Sequence, residues 1–165
     1  MKRREFIVAL GAIGSYPGAA FAQQSPRFAH MHSHVMLRQG LSPEGLAHDG
    51  MLVVAEKIIP DYALIRPMGG KLGVFRDAQP GEMRRSFETQ LERMRARIAS
   101  EAIPLVDSVA ALDKVVRERT PGVAISSEGA DFLEGDLAYL EKMRKIGLVH
   151  LQLVDAKPED VKIGM

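Results

Sequence analysis

Apolar residues along this chain fall into two patterns. Short, nearly continuous runs at Met51–Ile59 (MLVVAEKII), Val123–Ser127 (VAISS) and Leu148–Val154 (LVHLQLV) predict strands, the second of them buried, with Pro60 closing the first. An earlier run, Phe28–Val35 (FAHMHSHV), predicts another strand, with histidines at every second position. The second pattern is helical. Met83, Phe87, Leu91, Met94 and Ile98 recur at steps of three and four through Glu82–Ser100, with Arg and Glu filling the other faces. That spacing predicts an amphipathic helix with its Met and aromatic stripe in the core.

Asp107 as N-cap predicts a second helix through Val109, Leu112, Val115 and Val116, ending before Thr120-Pro121-Gly122. Phe132–Ile146 reads as a third helix, with Gly147 where a left-handed residue is favoured. The strand, helix and strand from Val123 to Val154 form a βαβ unit, which implies parallel strands with helices outside. Arg66–Gly81, rich in Gly and Pro, reads as a long loop with Gly69-Gly70 as a turn. Gln23–Arg27 reads as a polar linker, and Leu41–Gly50 as a short helical turn around Pro43.

The first 22 residues follow a different logic. Lys2, Arg3 and Arg4 are a cationic start, Phe6–Ile13 a short apolar stretch, and Ala20-Phe21-Ala22 a small-residue cleavage site. Arg3-Arg4-x-Phe6-Ile7 resembles a twin-arginine export signal; an ordinary secretory signal is the alternative. Either predicts an exported protein, periplasmic or extracellular, cleaved after Ala22. The apolar stretch falls far short of the roughly 20 residues that span a bilayer, so no permanent membrane span is expected.

Removing that segment takes three of the 22 basic and one of the 21 acidic residues, leaving 19 against 20. No basic excess remains to grip phosphates, so nucleic acid is not an expected partner. The chain has no cysteine, so disulfides and thiolate metal sites are excluded. A metal would have to be held by histidines and carboxylates. The remaining stretch of about 140 residues has the length of one domain.

Two places can carry such chemistry. His32 and His34, two apart on a strand, point to one face and can converge on a cation; His30 extends the row backwards. Solvated surface is the alternative for such a row. Glu128 directly follows the strand Val123–Ser127, where α/β barrels set their catalytic groups. One carboxylate there can bridge two cations. Its alternative duty, capping the next helix, could fall to Asp131. His150, inside an apolar run, reads as a satisfied core or inter-layer histidine.

From Ser126 the chain reads SSEGADFLEGDLAYLEKMRKIGLVHLQLV, and this stretch resembles the renal, or membrane, dipeptidase family of metallopeptidases. The likeness runs over about Phe28–Val154 and is strong in the last third. It implies a (β/α)8 TIM-type barrel, zinc (one or two ions), and hydrolysis of a dipeptide or small amide substrate. By position, His32 matches the first-strand histidine ligand and Glu128 the metal-bridging carboxylate. His34 falls where the family has an aspartate, so the site carries one negative charge fewer. Asp155 stands where the family has a substrate-holding histidine. Ala156–Met165 no longer resembles the family, and its later ligands have no counterpart. A whole barrel needs about 250 residues.

The expected fold is therefore α/β: a partial barrel of about four parallel strands with outer helices, ended early by a stop or frameshift. Its open edges imply self-association. Metal ligands are expected at His32, His34 and Glu128. Two other readings stand beside the metallo-dipeptidase: a non-catalytic exported remnant that binds a partner, and another amidohydrolase-type metal hydrolase.

Overall fold

A computed structural model describes residues 28–34 and 50–153. Four strands form one parallel sheet: β1 (Phe28–Ser33), β2 (Met51–Ile58), β5 (Gly122–Glu128) and β6 (Leu148–Gln152), in the order β1-β2-β5-β6. Spatial neighbours are thus also neighbours in chain order, as strands joined by successive crossovers are. Among the described residues, β1 and β6 are the two edges.

The long connection from β2 to β5 begins with a short 3₁₀ turn, Tyr62–Leu64. An antiparallel hairpin follows, β3 (Ile65–Met68) and β4 (Lys71–Val74). The expected long loop is corrected here. Gly69 and Gly70 have φ of 59° and 81°, the two positive values that a tight hairpin turn requires. Short flanking strands with no apolar alternation gave no signal in the sequence.

Helix α1 (Glu82–Ser100) matches its periodicity, and all five stripe residues are buried. Phe87, Leu91, Met94 and Ile98 form one core with Ile58, Val123, Ile125 and Leu148 from the sheet and Phe132, Tyr139 and Met143 from beyond β5. The rings of Phe87 and Phe132 stack at 3.9 Å between centroids. This core covers one sheet face.

Helix α2 (Val109–Glu118) is capped by Ser108, whose side chain accepts from the Ala111 amide; Asp107 lies one residue too early. Its apolar stripe behaves differently from expectation. Val115 is buried against Val53, Ala55, Val106 and Ala124, on the opposite sheet face. Val109, Leu112 and Val116 are 75%, 40% and 41% exposed. A stripe shows which residues are apolar, and only the neighbours decide which are covered.

The predicted helix Phe132–Ile146 is broken. A 3₁₀ turn, Asp131–Leu133, is followed by Glu134 and Gly135 at φ 50° and 81°, which no helix accommodates. Helix α3 (Leu137–Lys145) then starts afresh, capped by the Asp136 carboxylate on the Ala138 and Tyr139 amides. Asp131 is therefore not its cap. Gly147, at φ 102°, turns the chain into β6.

The predicted leader and linker (residues 1–27), the Leu41–Asp49 stretch and Asp155 lie outside the described residues. Among those described, no helix is long and apolar enough to cross a membrane.

Candidate metal centre

Side-chain alternation fixes what stands at the C-terminal ends of the strands. On the sheet face opposite α1, β2 presents Val53, Ala55 and Lys57, and β5 presents Ala124, Ser126 and Glu128. That face is apolar at its start, where Val106 and Val115 cover it, and polar at its end. Ser126 lies in register with Lys57 on β2 and His150 on β6.

His32, His34 and Glu128 converge at this end, although 94 residues separate His34 from Glu128. His32 Nε2 lies 3.2 Å and His34 Nε2 3.1 Å from the same Glu128 oxygen, Oε2. The two Nε2 atoms are 3.0 Å apart. The rings meet edge-on, with planes at 79° and centroids 4.9 Å apart. His32 is the more exposed ring and Glu128 is half-buried. His30 is exposed and takes no part.

Hydrogen bonding alone cannot satisfy this triangle. If both Nε2 atoms carry hydrogen and donate to Oε2, their 3.0 Å contact sets two N–H groups against each other. If one is bare, its lone pair faces the carboxylate. A cation bound by all three lone pairs removes the conflict. Donors about 2.0–2.1 Å from a tetrahedral zinc stand roughly 3.3–3.4 Å apart. The observed edges of 3.0–3.2 Å are close to that spacing. The donor set therefore fits a zinc-like ion with a fourth position left for solvent.

Burial lowers the His34 pKa below its ordinary value, against the opposing pull of Glu128. A ring kept neutral has its lone pair available for a metal. Its Nδ1 is buried with no hydrogen-bond partner among the described residues, so the ring's polar contacts run through Nε2.

A second polar group, not anticipated from the sequence, stands one pleat further back. Lys57 is fully buried, and its Nζ lies 2.9 Å from His150 Nδ1. Ser126 Oγ is 2.7 Å from the same nitrogen. His150 is half-buried on the edge strand β6 and has these two polar partners, so it is satisfied as expected but is not a core residue. Burial lowers the pKa values of both Lys57 and His150. The phase of β2 held the missed signal: Lys57 continues the face of Val53 and Ala55, so its burial follows from alternation.

A cavity of about 780 Å³ opens beside His34, between the Tyr62 turn and the first half of α1. Arg85 and Arg93 line it. No protein-family model, curated protein or solved structure matches this chain.

Proposed function

We propose that this chain is an exported, metal-dependent hydrolase of the dipeptidase type, built on the first half of a (β/α)8 barrel. The observation that carries the reading is the convergence of His32, His34 and Glu128 at the C-terminal ends of parallel strands. Barrel hydrolases assemble their sites from strand ends of this kind. The sequential order of the four strands supports the partial barrel.

His32 and His34 would hold a zinc ion through Nε2, and Glu128 through Oε2. When bound, the ion lowers the pKa of its water and polarises a substrate carbonyl. The protein's own part is to aim the three donors at one point and keep His34 neutral. The cavity at His34 falls in the size range of small-ligand sites, and its arginines suit a substrate bearing a carboxylate, such as a dipeptide.

Zinc titration by calorimetry tests the site. The double variant His32→Ala, His34→Ala is expected to lose at least about a hundredfold in affinity, because two of three donors vanish. An unchanged affinity would end the metal reading. Hydrolysis of a dipeptide panel, with and without added zinc, then tests the activity.

A second reading has its own support. The exposed Val109, Leu112 and Val116 and the two edge strands suit a surface for self-association or another partner. Size-exclusion chromatography separates this from a monomeric hydrolase.

A further inference from the structure

Lys57 is a charged group that is fully buried among the described residues. A fully buried ammonium is costly unless its hydrogens find partners. Here one partner is His150 Nδ1 at 2.9 Å, and Ser126 Oγ closes on the same nitrogen at 2.7 Å. Three strands in register hold this group: Lys57 on β2, Ser126 on β5 and His150 on β6. Glu128 follows Ser126 by two residues on the same strand and face, a step of about 6.6 Å. Lys57 and Glu128 therefore stand on neighbouring strands and the same sheet face, offset by one pleat, and Glu128 acts electrostatically on Lys57.

We infer that the cluster takes one divalent cation per chain, with the Lys57 ammonium serving as the second positive charge of the site. This rests on the metal reading above and concerns how many ions the site admits. Two observations support it. Among the described residues, one group can hold a metal, and it has only three members. A pair of ions needs more donors than three, and the neighbouring His150 already directs Nδ1 at Lys57 and Ser126. In addition, a second ion would lie close to a buried ammonium in a medium where like charges repel strongly. The charge that a second ion would contribute next to Glu128 is already built into the chain.

Lys57 is thus a positioning residue that sets the charge behind the site. Its removal should tighten the hold on the remaining ion, because a like charge has gone. The test uses the full mature chain, zinc alone as probe, elemental analysis for stoichiometry and competition with a chelating dye for affinity. The wild type is expected to hold one zinc per chain. Lys57→Met is expected to hold one zinc about tenfold more tightly or better. Lys57→Arg, which keeps the charge, should stay near the wild type. Two zinc ions per wild-type chain would overturn the inference while leaving the metal site standing. Equal affinity in Lys57→Met and wild type would reduce Lys57 to a strut and also overturn it. Absence of zinc binding by the wild type would remove the metal site and this inference together.

Discussion

His34 and His150 tie the stability of the molecule to pH. Burial is the largest cause of the lowered pKa in each. In the unfolded chain an imidazole titrates near about 6.5. Below that pH the unfolded chain takes up protons that the folded rings still refuse, so the unfolded state is favoured. Stability is therefore fully present above the unfolded value and is lost as pH falls through it towards the lower folded values. Denaturation midpoints of the metal-free protein should fall between pH 7.5 and 5. His34→Gln should flatten that fall. A midpoint that stays level over this range would contradict the burial assigned to both rings.

At the scale of elements, the two outward-lying layers have unequal weight. Phe132 lies just beyond β5, is fully buried, and stacks on Phe87 of α1. Cutting it to alanine removes the ring that joins α1 to the Glu128 strand end. Phe132→Ala should cost about 3–5 kcal/mol in urea denaturation, as truncation of a buried aromatic ring does. A cost under about 1 kcal/mol would show that the ring is not a core member. Helix α2 gives the opposite expectation. Its Val109 and Val116 are exposed, so Val109→Lys with Val116→Glu should change stability by no more than about 0.5 kcal/mol per site. If those changes instead dissolve an oligomer seen in size-exclusion chromatography, the stripe is an interface.

At the scale of the whole molecule, β1 and β6 are the edges of the sheet among the described residues, and the candidate site sits at one end of it. A parallel sheet is normally covered on both faces. Here α1 and α3 cover one face over β2, β5 and β6, whereas Val106 and Val115 cover only the start of the other. That leaves the end of the second face to the polar groups of the site. The proposed export is tested at this scale too. Mass spectrometry of protein recovered from the periplasm should find Gln23 as the first residue. Lysines in place of Arg3 and Arg4 should keep the precursor inside the cell if a twin-arginine receptor reads it. Unimpaired export of that variant would leave the ordinary secretory route.

Strands β2 and β5 and helix α1 were legible in the sequence because each has a strong local apolar pattern and burial agrees with it; β1 and β6 were legible from pattern alone, since Ala29–His32 and Val149 are exposed. The β3–β4 hairpin, the break at Glu134-Gly135 and the bare stripe of α2 were not, since backbone angles at single residues and the coverage of a helix face depend on neighbours. The same division holds in the site. Residue types marked His32, His34 and Glu128 as able to bind a metal. Only the parallel register of strands distant in the chain brought three donor atoms within 3.0–3.2 Å of one another. The phase of β2 marked the face of Lys57, but only the assembled sheet showed that its partner there is His150. Local periodicity encodes which elements form, whereas distances between far-separated side chains arise only when the elements meet.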